Sequence, residues 1–231
     1  MSEPRKGALR VALFDFDGTL VNTTPLILRC FHATWQQVCG LVNEEVEYIQ
    51  TFGLPLQTAL EQMAARYLAT GRVTTAQDQA ALVAELIATY RSFNECWHDE
   101  MIEAVAGMAE TLPVLRARGW RLGIVTSKKR AGLERGLQLF ELAELFDVTI
   151  CAEDSLIHKP RPEPLLLALQ QLKADPSEAV YVGDSTHDLI AGRAARVRTA
   201  AATWGPFPRA ELAQLEPDYL LAEPADLLRL S

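Results

Sequence analysis

Two stretches of the sequence each place a pair of aspartates at the end of an apolar run. Asp15 and Asp17 are two residues apart, so an extended chain would point both carboxylates to the same side. Asp184 and Asp188 are four residues apart, which makes them neighbours on a helix. Buried carboxylates need a counter-charge, and carboxylate oxygens are common ligands of Mg²⁺. The two pairs therefore predict a Mg²⁺ site formed by Asp15, Asp17, Asp184 and Asp188.

Each pair also has a purely structural explanation. The sequence Asp-Phe-Asp-Gly at 15–18 is typical of a turn after a strand. Asp184 or Ser185 is a suitable N-cap for a helix over 186–196, a role that is compatible with metal binding. The acids alone leave both explanations open.

A pair of hydroxyls and a lysine end further segments of the same kind. Thr126 and Ser127 follow the run 121–125, and Lys159 lies in a His-Lys-Pro segment. A transferring phosphoryl group needs hydrogen-bond donors for its oxygens and a cation that offsets its charge. These residues predict a phosphoryl-transfer site. Ser127 is equally suited to cap a helix that starts near Arg130, and Lys159 to lie in a solvated loop.

The apolar runs that carry these residues alternate with segments of helical spacing. The runs are short and continuous, as buried parallel strands are, and they span 9–16, 121–126, 147–151, 179–183 and 197–203. Two helical segments are predicted at 107–118 and 162–172. Their apolar positions are Met108, Leu112 and Leu115 in the first, and Leu165, Leu166, Leu169 and Leu172 in the second. Strands that alternate with helices form βαβ units, so the sequence predicts an α/β fold with a parallel sheet.

Residues 22–98 interrupt this alternation with successive helical patterns. A helix start with proline in its first turn stands at 22–25, and glycines at 40, 53 and 71 divide the block into about four helices. A helical block directly after the first strand suggests a cap over the carboxyl edge of the sheet, where ligands of open parallel sheets bind. We predict a core of residues 1–21 and 99–231, with an inserted all-helical cap domain at 22–98.

The composition argues against several classes of partner. The 231 residues include 22 basic and 30 acidic ones, for a formal net charge of −8. Broad binding of nucleic acid or of anionic membranes needs a positive surface, so neither is expected. No stretch approaches the ~18 apolar residues of a membrane span, no apolar leader precedes the first run, and the cysteines form no Cys-x-x-Cys pair. We expect a cytoplasmic protein, monomeric or homodimeric.

Taken in order, the polar motifs resemble those of the haloacid dehalogenase superfamily, in its phosphatase branch. The matching motifs are Asp15-Phe16-Asp17-Gly18-Thr19, Thr126-Ser127, Lys159-Pro160 with Pro162-Glu163-Pro164, and Gly183-Asp184-Ser185-Thr186-His187-Asp188. They reach from the first predicted strand to the last part of the core. The resemblance implies a Rossmann-like sheet with a helical cap inserted between the first two motifs, and a small phosphorylated metabolite as substrate.

The resemblance also implies roles for the four acids. Asp15 would attack phosphorus and become a phosphoaspartate. Asp17 would protonate the leaving oxygen and then activate water. Mg²⁺ would be held by the Asp15 carboxylate, the main-chain carbonyl of Asp17 and Asp184, with Asp188 binding directly or through water.

The other motif residues would serve the phosphoryl group. Thr126 and Ser127 would orient it, and Lys159 would steady Asp15 and the phosphoryl oxygens. Dehalogenases resemble this pattern but lack a carboxylate at the position of Asp17, because a halide leaving group needs no proton. Phosphomutases keep that acid, and they remain an alternative to hydrolysis.

Within the superfamily, the chain is most similar to phosphoglycolate phosphatases and to pyrophosphatases of the same subgroup. The similarity rests on Gly-Ile-Val-Thr-Ser-Lys at 123–128, Trp-Gly at 204–205 and Pro-Asp at 217–218. Phosphoglycolate is the predicted substrate. Pyrophosphate, sugar phosphates and a non-catalytic phosphate-binding role are the alternatives.

The loop 51–55 resembles the specificity loop of this family. Gly53, Leu54 and Pro55 are therefore candidates for substrate selection, with a plain turn between helices as the alternative. The basic residues of the helical block that are candidates to meet a substrate anion are Arg29, Arg66, Arg72, Arg91 and His32.

Overall fold

The computed structural model describes residues 9–75 and 78–230 of the chain. The strands are β1 (Val11–Phe14), β2 (Val21–Asn22), β3 (Glu103–Ala104), β4 (Arg121–Val125), β5 (Val148–Ile150), β6 (Ala179–Gly183), β7 (Arg198–Ala202) and β8 (Tyr219–Leu221). Six of them form a parallel sheet in the order β5-β4-β1-β6-β7-β8. The predicted α/β fold with a Rossmann-like parallel sheet is confirmed, and all five predicted strands are present. The edge strand β8 was missed because it has three residues, Tyr-Leu-Leu, which is too short a run to predict a strand.

The central strand β1 explains why the first apolar run is continuous. All four of its residues are buried. Ala12 and Phe14 belong to the hydrophobic core on one face of the sheet, and Val11 and Leu13 to the core on the other. A strand that is covered on both faces needs apolar residues at every position, not at every second one.

Helices cover both faces of this sheet. They follow the four helices of the helical block in the chain and are therefore numbered from five. They are α5 (Met108–Ala117), α6 (Arg130–Leu139), α7 (Glu163–Leu172), α8 (Thr186–Ala194) and α9 (Arg209–Gln214). In α7, Leu165, Leu169 and Leu172 are buried as predicted, whereas Leu166 is 42% exposed. The prediction for Leu166 was wrong because one residue turns a helix by about 100°, which rotates this side chain off the buried stripe.

Four helices lie between β2 and β3. They are α1 (Thr24–Cys39), α2 (Glu45–Ile49), α3 (Leu56–Ala69) and α4 (Gln79–Met101). The last helix ends at Met101, three residues beyond the end of the predicted cap domain at 98. The two connections to the sheet run side by side, because β2 and β3 pair antiparallel, with Val21 opposite Ala104. The division into a core and a cap domain remains a prediction.

The helical block has aromatic packing of its own. The rings of Trp35 and Tyr67 meet edge to face with centroids 4.9 Å apart, and those of Phe31 and Tyr48 stack at 5.1 Å. All four side chains are buried. Trp35 is therefore a core residue of this block.

Two further features bear on the sequence predictions. All four cysteines are free thiols, with Cys30 and Cys151 buried and Cys96 exposed. Among the described residues, no helix is both long and apolar enough to cross a membrane.

Candidate active site

The carboxyl ends of β1, β4 and β6 meet at one edge of the sheet, and the predicted site residues lie there. Asp15 follows β1, Thr126 follows β4 and Asp184 follows β6. Asp15 continues the strand ladder, since its N–H donates to the Val182 carbonyl at 2.9 Å. Its Oδ1 accepts a hydrogen bond from the Phe16 N–H at 2.8 Å. The parallel sheet thus gathers motifs from distant parts of the chain.

A tight turn after β1 lets Asp184 approach this strand. Gly18 has a φ of +79°, and a Cβ at this position would lie 2.3 Å from Oδ2 of Asp184. The Thr19 hydroxyl donates to Oδ1 of the same carboxylate at 2.8 Å. Position 18 requires glycine for two reasons, the left-handed backbone and the close approach of the second acid.

The start of α8 orients Asp188. Ser185 is the N-cap, and its Oγ accepts a hydrogen bond from the Asp188 N–H at 3.3 Å. In return, Oδ2 of Asp188 accepts hydrogen bonds from the Ser185 N–H at 3.1 Å and from the Ser185 hydroxyl at 2.5 Å. This reciprocal capping box leaves Oδ1 of Asp188 for the site. Asp188 therefore takes part in the capping box and in the acid cluster at the same time.

Three carboxylates lie close together, and one lysine pairs with two of them. Asp15, Asp184 and Asp188 are buried, and each offers an oxygen within 4.8 Å of the others. Nζ of Lys159 lies 3.0 Å from Oδ2 of Asp15 and 2.7 Å from Oδ1 of Asp188. Lys159 is 2% exposed, so the alternative of a solvated loop lysine does not hold.

Tyr181 forms a hydrogen bond with this lysine. It was not among the predicted site residues. Its hydroxyl donates to the Val125 carbonyl at 2.8 Å and accepts from Nζ of Lys159 at 3.0 Å. It also lies 3.0 Å from Oδ1 of Asp188. The only feature of the sequence that could have indicated a site role for Tyr181 is its phenol group within an otherwise apolar strand.

The electrostatics of the cluster reflect an excess of negative charge. Burial raises the pKa of Asp15 to about 7, and the charge of Lys159 opposes this shift while Asp188 adds to it. Burial, followed by the charges of Asp188 and Asp15, raises the pKa of Asp184 well above its ordinary value. Burial acts in the same direction on Asp188, but the charge and hydrogen bond of Lys159 outweigh it and lower the pKa of Asp188. One lysine cannot compensate for three carboxylates, so the cluster could hold a divalent cation.

Asp17 lies apart from the three clustered carboxylates. Its Oδ1 is 2.8 Å from Nζ of Lys128, and the two side chains are 25% and 13% exposed. Contact of the Asp17 main-chain carbonyl with a metal remains a prediction. Lys128 was not singled out from the sequence as a site residue, although its place just after the end of β4 puts it at the same edge of the sheet.

The two predicted phosphate-orienting hydroxyls differ in their partners. Thr126 is buried, and its Oγ1 accepts a hydrogen bond from the Lys128 N–H at 3.2 Å, which leaves its proton for another acceptor. The Ser127 hydroxyl donates to the carbonyl of Gly53 at 2.6 Å. Ser127 does not cap a helix, because α6 has Lys129 at its N-cap position. Phosphate contact by Ser127 remains a prediction, and it would compete with this bond.

A cavity of about 740 Å³ separates the sheet edge from the helical block. The loop 51–55, with Gly53, Leu54 and Pro55, forms part of its wall. Gly53 has a φ of +87°, and a Cβ there would lie 2.7 Å from Oγ of Ser185 and 3.2 Å from Cβ of His187. The loop therefore packs directly against the start of α8.

Of the five basic candidates in the helical block, Arg91 lines this cavity. The other four have partners elsewhere. Arg29 stacks over the Trp97 ring at 4.2 Å, and His32 packs edge-on to Tyr48. Arg66 and Arg72 both form ion pairs with Glu47. The sequence could not tell Arg91 from the other arginines, because the partner of each of these lies on a helix that does not contain the arginine itself.

Comparison with known proteins agrees with this geometry. A family model described as haloacid dehalogenase-like hydrolase matches residues 12–202. A protein named pyrophosphatase PpaX from Bacillus thuringiensis (strain Al Hakam) is 38% identical over 220 residues, which cover 95% of each chain.

Solved structures show the same architecture. A Bacteroides fragilis protein assigned as a haloacid dehalogenase-like hydrolase superposes with a TM-score of 0.82 at 29% identity, over 95% of this chain and 99% of that one. A Lactobacillus plantarum protein assigned as a phosphoglycolate phosphatase superposes with a TM-score of 0.80 at 28% identity, over 97% of this chain and 100% of that one. With the family match and the acid cluster at the sheet edge, these relatives identify the chain as a phosphatase of the haloacid dehalogenase-like hydrolase family.

Proposed function

We propose that this chain is a Mg²⁺-dependent phosphomonoester hydrolase that forms a phosphoaspartate at Asp15 and acts on a small phosphorylated metabolite. The observation that carries the proposal is the buried cluster of Asp15, Asp184 and Asp188, in which Lys159 pairs with Asp15 and Asp188. An anionic phosphoryl group approaches such a cluster only when further positive charge is present. The site is therefore suited to a reaction in which a cation and a phosphate compound bind together.

The donor set fits Mg²⁺. Asp15 follows β1, Asp184 follows β6 and Asp188 lies in the first turn of α8, and each offers an oxygen within 4.8 Å of the others. The Lys159 ammonium leaves two of their three charges uncompensated. Asp15, Asp184 and Asp188 would hold the ion, together with the main-chain carbonyl of Asp17. When bound, Mg²⁺ would offset the charge of the phosphoryl oxygens.

In the first half of the reaction, Asp15 supplies the nucleophile. One of its carboxylate oxygens forms a bond to phosphorus while the bond from phosphorus to the leaving oxygen breaks. The Phe16 N–H and the Lys159 ammonium hold the carboxylate in place, one at each oxygen. The Thr126 hydroxyl donates to a phosphoryl oxygen, and Asp17 gives its proton to the leaving oxygen.

In the second half, a water molecule replaces the leaving group. Asp17, now a carboxylate, takes a proton from this water as its oxygen bonds to phosphorus. The bond between phosphorus and Asp15 breaks, which releases inorganic phosphate and restores both aspartates to their starting states. One water is consumed in each cycle. The ion pair of Asp17 with Lys128 at 2.8 Å corresponds to the carboxylate form that accepts this proton.

Phosphoglycolate is the substrate that we propose, with pyrophosphate as the alternative. Both names occur among the relatives described above, and both compounds are small enough for a cavity of about 740 Å³. A sugar-phosphate phosphatase or phosphomutase would need the same acids, and its products would differ.

The test is the release of inorganic phosphate by the purified chain from phosphoglycolate, pyrophosphate, a hexose phosphate and a nucleoside monophosphate. We expect turnover of at least one compound with Mg²⁺ and none in excess EDTA. In ¹⁸O-labelled water, single-turnover phosphate should contain label, while a mutase would produce an isomeric phosphate ester. No turnover with any substrate, or full activity in EDTA, would contradict the proposal.

A further inference from the structure

The Lys128 side chain lies beside the reacting groups and not in solvent. Its ammonium is 2.8 Å from Oδ1 of Asp17 and 5.5 Å from the centre of the Phe16 ring, and the side chain is 13% exposed. Both Lys128 and Asp17 line the cavity between the sheet edge and the helical block. A lysine held in this way is a fixed, partly desolvated charge that can interact strongly with a nearby anion.

The distance to Asp17 places this charge on the side of the leaving group. A general acid lies within about 3 Å of the oxygen that it protonates. Since the ammonium is 2.8 Å from Oδ1 of the same carboxyl group, it lies within roughly 8 Å of the leaving oxygen, whichever carboxyl oxygen gives the proton. A carboxylate or phosphate attached one or two bonds beyond that oxygen would come within reach of the ammonium. Lys159, in contrast, lies on the side of the nucleophile.

The cavity wall near Lys128 is also polar where it is formed by α4. Arg91, Asn94 and His98 lie at helical spacing on this helix and line the cavity. His98 is buried, its Nδ1 donates to Asp99 at 2.8 Å, and its Nε2 has no hydrogen-bond partner among the described residues. Burial lowers the pKa of His98 against the opposing effect of its hydrogen bond to Asp99, and the charge of Lys128 adds to the lowering.

Two of the other cations near the cavity have partners of their own. Arg135 pairs with Asp99 at 2.8 Å, and Lys159 is enclosed by the acid cluster. Arg91 is exposed and has no ion-pair partner among the described residues, so it can reinforce an anion held by Lys128.

From this arrangement we propose that Lys128 binds an anionic group on the leaving group and thereby selects small phosphate compounds whose leaving group carries a carboxylate or a phosphate. The proposal rests on the proposed hydrolase function, and it assigns Lys128 as a specificity-determining residue. Phosphoglycolate and pyrophosphate both belong to the selected class. Esters of neutral alcohols do not.

The test compares two esters that differ mainly in this charge, phosphoglycolate and 2-hydroxyethyl phosphate. The measured quantity is the ratio of their kcat/KM values with saturating Mg²⁺, in the parent and in Lys128→Met. We expect the ratio to favour phosphoglycolate in the parent and to fall by at least about thirtyfold in the variant, since a buried charge loses its partner. Pyrophosphate, if turned over, should lose activity in parallel with phosphoglycolate.

Lys129→Met is the matched control. It removes the same charge from the adjacent position, where the exposed Lys129 also lines the cavity but has no contact with Asp17. We expect this variant to change both substrates by the same small factor. Lys128→Arg should keep most of the parent's ratio, and Lys128→Gln should lose it, which decides the matter if Lys128→Met does not fold.

The outcomes separate this inference from the function on which it rests. A parent that hydrolyses no phosphate compound contradicts the hydrolase function. A parent that is active but unselective overturns only the role of Lys128. The same holds if Lys128→Met reduces kcat/KM for both esters equally, or if Lys129→Met lowers the ratio as much.

Discussion

The sheet edge and the helical block use charge in opposite ways. At the sheet edge, Asp15, Asp188 and Lys159 are buried and in direct contact, and their number leaves a negative excess. In the helical block, Arg66 and Arg72 share the partly exposed Glu47. Removing one partner of a buried ion pair costs several kcal/mol, whereas an exposed pair contributes about 0 to 1 kcal/mol. The comparison teaches that the reacting groups are placed with little tolerance, while the ion pairs of Glu47 contribute only to the stability of the helical block.

The two regions are in contact on both sides of the cavity. The Ser127 hydroxyl donates to the Gly53 carbonyl, and Gly53 packs against Ser185 and His187. Arg91, Asn94 and His98 line the cavity from the other side. Changes at the sheet edge should therefore affect every substrate, and changes at these contact points should affect mainly substrates that need the helical block for orientation.

The largest effect is expected for Asp15→Asn. The amide has the same size as the carboxyl group but cannot form the acyl phosphate, so turnover should be abolished for every substrate. The measurement is kcat for phosphoglycolate and for an aryl phosphate, with circular dichroism as the check on folding. Activity within tenfold of the parent on either substrate would show that Asp15 is not the nucleophile.

Removal of Mg²⁺ should be nearly as severe, and its effect on stability should depend on pH. The pKa of Asp15 is raised from 3.8 to about 7 in the folded, metal-free protein. The folded state therefore holds a proton that the unfolded chain has already lost, and the contribution of this group to stability is lost as pH rises from about 4 through 7. In the proposed function, Mg²⁺ would take the place of this proton, and its charge would offset the repulsion between the carboxylates. The increase in Tm on adding Mg²⁺ should thus be small at pH 5 and larger at pH 8.

Ca²⁺ provides the control for this experiment. We expect it to raise Tm but not to support turnover, because its larger and looser coordination misplaces the nucleophile. The metal site would be elsewhere if Mg²⁺ raised Tm equally at both pH values in the parent and in Asp184→Asn.

An intermediate effect is expected for Asp17→Asn. The loss of a general acid should reduce kcat by on the order of 10² to 10⁴ for phosphoglycolate, whose leaving oxygen needs a proton. An aryl phosphate has a better leaving group and should lose much less. Equal losses on both substrates would argue that Asp17 acts through structure and not through proton transfer.

The smallest and most selective effect is expected for Gly53→Val. The added side chain would meet Oγ of Ser185, which lies 2.7 Å from a Cβ at this position, so the loop must move away from α8. We expect kcat/KM to fall by roughly tenfold or more for phosphoglycolate and by less than about threefold for an aryl phosphate.

Gly40→Val is the matched control for the loop. Gly40 also has a positive φ, +63°, but a Cβ there would meet nothing within 4 Å. Both variants carry backbone strain in the helical block, and Gly53→Val alone disturbs the contact with the sheet edge. If both variants lower the two activities in the same proportion, the loop has no role in selection and the difference between the two regions disappears.

The sequence alone determined the elements and the residues at their ends. Buried parallel strands must be apolar at every position, so β1 and β6 were visible as continuous runs, and Asp15 and Asp184 were visible as the polar residues that end them. The same local rules placed α7 but misjudged Leu166, because one residue of rotation separates a buried from an exposed side chain. The short strand β8 and the β2–β3 pair had too few residues to produce a pattern.

The tertiary structure alone decided which side chains meet. Lys128 and Tyr181 join the site only because β1 lies between β4 and β6, which brings the ends of three strands together. The Ser127 hydroxyl is directed to Gly53 by the packing of the helical block on the sheet edge. Local spacing governs which residues share a face of one strand or helix, but partners from different elements are fixed by strand order and packing, which no single stretch of sequence contains.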